Sequence, residues 1–109
     1  MFAIAAGNSA EDASYYTPAH IDNYGGIYIV PAIGTDDCLA SFSNYGSPVD
    51  VAAPGGGVES LAKDGGTVTY SGTNMAAPNV AGFLLLGPLG FDGTSCGDPD
   101  GNPDLIASK

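Results

Sequence analysis

Positive charge is almost missing from this chain. Its only basic residues are Lys63 and Lys109, against 12 acidic ones, and the formal net charge is −10. Nucleic acids and anionic membrane surfaces are held through Lys and Arg, so both are excluded as partners; an acidic surface favours solubility or cation binding instead. No apolar run approaches the roughly 20 residues that a membrane span needs, and Met1–Ala10 lacks the basic start of a secretory signal. Nothing therefore marks a compartment. There is one histidine, His20, and no residue spacing suits zinc. Cysteine is limited to Cys38 and Cys96, which either pair in an oxidising compartment or remain two buried thiols.

What is present is turn-forming and small. The 109 residues include 17 Gly and 8 Pro, a composition that leaves much of the chain in turns and reads as an incomplete domain. The stretch Ser71–Gly82 organises the rest. Gly72 allows a bend, Thr73 can cap a helix, and Ala76, Ala77, Ala81 and Gly82 let that helix lie close to neighbouring backbone. Pro78 falls near the fifth helical position, where a missing donor is tolerated in the first turn. The helix then continues through Val80, Phe83, Leu84, Leu85 and Leu86, apolar nearly all round, as a helix buried on most sides would be.

In chain order, Phe2–Ala6 is a short apolar run ending at Gly7 and Asn8, the pattern of a buried parallel strand. By itself Asn8 reads as a turn asparagine. Ser9–Gly26 is a polar loop in which His20 is a solvated loop histidine. Ile27–Ile33 is a second buried strand that Pro31 interrupts, and Val49–Ala53 a third, stopped by Pro54–Gly57. Val58–Leu61 and Thr67–Ser71 alternate around Lys63–Gly66 and form a β-hairpin that leads into Asn74. Gly87 and Pro88 end the helix, and no periodicity follows.

Gly72-Thr73-Asn74-Met75-Ala76-Ala77-Pro78-Asn79-Val80-Ala81-Gly82 resembles the nucleophile motif of the subtilisin-like serine peptidases, the subtilases, Gly-Thr-Ser-Met-Ala-x-Pro-His-Val-Ala-Gly. Two positions depart from it: Asn74 stands where that family has its serine, and Asn79 where it has a histidine outside the triad. Ala5–Asn8 is similar to the family's oxyanion-hole segment, Ala40–Gly46 to the loop after the next strand, and Val51–Gly55 to the strand end after that. These matches keep the family's order over roughly residues 1–86, and correspond to the second half of a catalytic domain. The resemblance implies an α/β fold, a partial subtilisin-like arrangement of parallel strands, a hairpin and a central helix in an incomplete sheet. It divides the chain into a half-domain, 1–86, and an acidic Gly/Pro-rich tail, 87–109. The family is often secreted.

The implied site has Asn74 at the nucleophile position and Asn8 as the oxyanion-hole amide, with Gly7, Asn8, Gly72 and Thr73 as substrate-binding residues. An amide cannot serve as the nucleophile, and no triad histidine or aspartate is matched, so the chain is expected to be inactive as it stands. A carbonyl or carboxylate oxygen could still be attracted to Asn8 and the helix N-terminus; equally, Asn74 caps the helix. In the tail, Asp98, Asp100, Asn102 and Asp104 place oxygens at alternate positions and either converge on Ca²⁺ or form a plain acidic turn. Three functions stay open: a fragment or degenerate peptidase, one piece of a peptidase completed by another chain, and a binding or assembly module. Phe2–Ala6 and Ile27–Ile33 are expected to expose apolar faces, so that self-association or another polypeptide partner is expected, with a peptide as possible ligand.

Overall fold

A computed structural model describes residues 2–17, 27–87, 90–101 and 103–108. In chain order the elements are β1 (Phe2–Ala5), a 3-10 turn (Ala13–Tyr15), β2 (Ile27–Val30), β3 (Ala32–Ile33), β4 (Val51–Pro54), β5 (Val58–Leu61), β6 (Thr67–Tyr70), α1 (Thr73–Leu86), β7 (Gly90–Thr94) and β8 (Leu105–Ser108). His20 and Asn102 lie outside the described residues.

The β-branched, apolar run from Ile27 makes two strands instead of one because Pro31 has no N–H to give a ladder. Before it, β2 pairs in parallel with β1, Phe2 opposite Ile27 and Ala5 opposite Val30. After it, β3 pairs in parallel with β4, and the Ala32 N–H turns away to Ser43 Oγ at 2.9 Å. β4 in turn pairs in parallel with β8, and β8 antiparallel with β7, making a four-stranded sheet β3-β4-β8-β7 beside the two-stranded β1-β2 sheet. The hairpin forms as expected, with β5 antiparallel to β6 and Val58 opposite Tyr70.

One face of this sheet is covered by α1. Val30, Ala32, Val51 and Ala53 pack against Ala76, Ala77 and Val80, with Ala107 completing the cluster. Small side chains allow a close approach: a Cβ on Gly55 would stand 2.6 Å from both Ala32 Cβ and the Gly72 carbonyl. The opposite face is covered by loops, which bring Ala13 and Val49 onto Ala6, Ile29, Ile4 and Ile27. For that reason Ile29, Val30 and Ala32 are buried; Ile33 is buried against Ala52 and Ile106, and the expectation that Ile27–Ile33 presents an apolar face to solvent is corrected. Phe2, in contrast, is 67% exposed at the strand that starts the sheet.

The helix also differs from its expected burial. Only Thr73, Ala76, Ala77 and Val80 are buried, while Leu85 and Leu86 are 89% and 72% exposed, because the sheet offers the helix a single packing surface. Ala81 and Gly82 are exposed. Gly72 precedes the helix in an extended conformation and has no side chain to cap it, so neither Thr73 nor Asn74 is the cap residue. Pro78 lies beyond the first turn, where its ring removes the hydrogen bond to the Asn74 carbonyl.

The segment after the helix, aperiodic in sequence, carries two strands. Ile106 and Ala107 of β8 are buried against the sheet. A disulfide between Cys38 and Cys96 ties the segment to the β3–β4 connection. Beside it the Leu39 N–H donates to the Cys96 carbonyl at 2.8 Å, and the Cys96 N–H to the Asp37 carbonyl at 3.2 Å. No described helix is long and apolar enough to cross a membrane.

Candidate active site

The chain leaves β1 through Ala6, whose N–H donates to the Val30 carbonyl at 3.0 Å, and turns sharply at Gly7, where φ is +109°. That φ lies in the region open mainly to glycine. Asn8 is thereby delivered to the N-terminus of α1. Its Oδ1 accepts from the Thr73 backbone N–H at 2.8 Å and from the Thr73 hydroxyl at 2.9 Å. The same hydroxyl accepts from the Gly7 N–H at 3.1 Å. A backbone N–H only donates, so Oδ1 must face Thr73, and the Asn8 NH₂ is turned outward as a donor. Among the described residues that NH₂ has no partner. Thr73 is fully buried, and its hydroxyl proton and lone pair are both committed.

Gly7, Asn8, Gly72 and Thr73 are thus brought together, and Asn74, exposed, follows Thr73 as the second residue of α1. Gly72 is fixed from behind by its N–H donating to the Gly55 carbonyl at 2.7 Å. Asn74 also lines a shallow groove of about 460 Å³ with Ala3, Ala5, Ala77, Pro78 and Ala81, between β1 and the helix. Asn79 is half-buried; its NH₂ donates to the Pro54 carbonyl at 3.1 Å and to the Met75 carbonyl at 3.2 Å, fastening α1 to the end of β4. This role was not anticipated; a polar residue one turn after Met75 in an otherwise apolar helix was the available signal.

Chemically the corner offers an incoming oxygen the Asn8 NH₂ and the Asn74 backbone N–H, since the Thr73 N–H is taken by Asn8 Oδ1 and the Met75 N–H by the Gly72 carbonyl. The dipole of the 14-residue helix adds positive potential there. Such a place attracts a carbonyl or carboxylate oxygen. No described residue at this corner is an imidazole, thiol or carboxylate able to take a proton.

The tail aspartates form a different feature, at the far end of β8. Asp98 Oδ2 and Asp104 Oδ2 are buried and have no hydrogen-bond partner among the described residues. Burial, reinforced by the negative charge of Asp98, pushes the Asp104 carboxyl up to about 7, and burial raises Asp98 too. Asp100 donates its backbone N–H to Asp98 Oδ1 at 3.1 Å, closing a turn. Among the described residues no group of three or more His, Cys, Asp or Glu is arranged to hold a metal ion.

The profile of the Subtilase family matches residues 1–87. The chain belongs to the Subtilase family. It is 51% identical over 81 residues to a subtilisin-like protease of Coccidioides posadasii, covering 74% of this chain and 20% of that protein. It is 48% identical over 85 residues to the alkaline serine exoprotease A of Vibrio alginolyticus, covering 78% and 15% respectively. Among solved structures, a cold-adapted subtilisin-like serine proteinase superposes with a TM-score of 0.72 at 44% identity, over 77% of this chain and 30% of that one. The chain therefore spans about a third or less of the length of these subtilases. The α-helix and partial sheets of the described residues are a mixed α/β, incomplete subtilisin-like fold.

Proposed function

We propose that this chain is a segment of a subtilisin-like serine peptidase that keeps the family's oxyanion-binding corner and does not cleave peptides as it stands. In this reading Asn74 occupies the place of the nucleophilic serine, Asn8 is the oxyanion-hole amide, and Gly7, Gly72 and Thr73 shape the backbone around the substrate carbonyl. The observation that carries it is the pair of hydrogen bonds donated by Thr73 to Asn8 Oδ1, which leaves the Asn8 NH₂ aimed outward at the N-terminus of α1 beside Asn74. An asparagine amide is not basic or nucleophilic enough to attack a peptide carbonyl, and the donors alone bind an oxygen without splitting the C–N bond.

A second reading, that another polypeptide or a second copy completes the fold, is favoured by one feature. Among the described residues β1 pairs on one side only, with Phe2 67% exposed, and Leu85 and Leu86 are left uncovered on α1. The test of the first reading is labelling of the purified chain with a serine-directed fluorophosphonate, together with a peptide hydrolysis assay. No labelling and no hydrolysis are expected; stoichiometric labelling of any serine would contradict the proposal.

A further inference from the structure

Asn44 grips the backbone on both sides of Asn8. It is fully buried, in the loop between β3 and β4. Its NH₂ donates to the Ala6 carbonyl at 3.0 Å, and its backbone N–H donates to the Gly7 carbonyl at 2.9 Å. Its Oδ1 accepts from the Ser9 N–H at 3.0 Å and the Glu11 N–H at 3.1 Å. Residues 6, 7, 9 and 11 are all held, and Asn8 between them is left to reach Thr73.

The approach is too close for any other side chain at residue 7: a Cβ on Gly7 would stand 2.4 Å from Asn44 Nδ2. Asn44 is in turn anchored to the sheet. The Ser43 hydroxyl donates to the Asn44 carbonyl at 3.0 Å and accepts from the Ala32 N–H at 2.9 Å. A primary amide alone among side chains of this size has both the donor and the double acceptor that this geometry uses.

We infer that Asn44 is a positioning residue for the Asn8 amide: it sets the backbone from which Asn8 reaches Thr73, and so holds the Asn8 NH₂ at the N-terminus of α1. Its purpose rests on the oxyanion-corner reading of Asn8, but its geometry is testable without any turnover. Asn44→Ala removes the three side-chain bonds, while the backbone N–H of residue 44 still reaches the Gly7 carbonyl. With Ala6, Ser9 and Glu11 released, the turn no longer keeps Asn8 in register with Thr73, and its side chain leaves the single rotamer.

The experiment is NMR on the isotope-labelled chain, reading the side-chain χ1 couplings of Asn8, with those of Asn79 on α1 as an internal reference. The wild-type chain should show single-rotamer values at both. In Asn44→Ala the Asn8 couplings should fall to rotamer-averaged values while Asn79 keeps its own. A folded variant in which Asn8 keeps single-rotamer values would overturn the assignment.

Hydrogen exchange of the unmodified chain decides the matter if the variant does not fold. The Ser9 and Glu11 amides, each on an exposed residue, should exchange about tenfold or more slowly than unprotected amides because Asn44 Oδ1 holds them. Unprotected exchange at both would overturn the assignment equally. Neither readout depends on hydrolysis, so failure here and failure of the proposed function are separate results.

Discussion

At residue 73 a single hydroxyl joins the turn after β1 to the start of α1, accepting from Gly7 and donating to Asn8. Thr73→Val preserves shape and removes both bonds, leaving the Gly7 N–H without its acceptor. The variant is expected to lose about 2 kcal/mol of stability, read as a lower urea midpoint at unchanged slope. Asn8→Ala should lose a similar amount, and the double variant less than the sum, since the two residues share one network. Asn8 and Thr73 were legible in the sequence because they sit in segments whose residue types and order are specific. Asn44 was not. Its partners Ala6, Ser9 and Glu11 lie far from it along the chain, and a buried asparagine in a Ser-rich loop looks like any turn former until the loops are brought together. Thr73 as a helix cap was a reasonable local expectation that tertiary contact overrode: Asn8 reaches in from β1 and takes its donors.

Among the elements, the hairpin and the helix followed from alternation and from small-residue packing, both local signals. The break at Pro31 was equally local, since a residue without an N–H cannot continue a ladder. β7 and β8 were invisible because their stability comes from β4, which stands far upstream in sequence, and from the Cys38–Cys96 bond, for which spacing left two alternatives open. That bond closes a sequence separation of 58 residues, and in the chain-entropy account its removal releases about 4 kcal/mol of unfolded-state entropy. Reduction, or Cys38→Ser with Cys96→Ser, should therefore lower the melting temperature markedly, with the exchange protection of β8 lost first. A second expectation concerns the carboxyls beside β8. Asp104 is raised from 3.8 to about 7 in the folded chain, so between those values the folded state holds a proton that the unfolded state has released. Stability should accordingly fall as pH rises through this window, and be greatest for this group below about 4. Asp104→Asn should flatten that dependence and raise the melting temperature at pH 7 to 8. Thermal melts across pH 4–8 check both statements.

At the largest scale, the described residues bury three apolar clusters while leaving Phe2 and the end of the helix uncovered. The apolar runs Phe2–Ala6 and Ile27–Ile33 predict open faces; the loops that close over Ile29 are polar segments whose docking no periodicity reveals. Phe2, Leu85 and Leu86 stay open, among other exposed apolar side chains such as Leu61 and Phe91. Burying a few hundred Å² there would be worth several kcal/mol at about 25 cal/mol per Å², before the cost of association. Sedimentation at micromolar concentration and moderate salt, where the net charge of −10 is screened, should detect association; a monomer throughout would remove the second functional reading. In the proposed reading this corner keeps its oxygen-binding donors and lacks the means to cleave, and peptide hydrolysis by the Asn74→Ser variant tests that most directly. With Asn8 and Thr73 intact but no base at the corner to take the serine proton, turnover should remain at background. Hydrolysis well above background by that variant alone would contradict it.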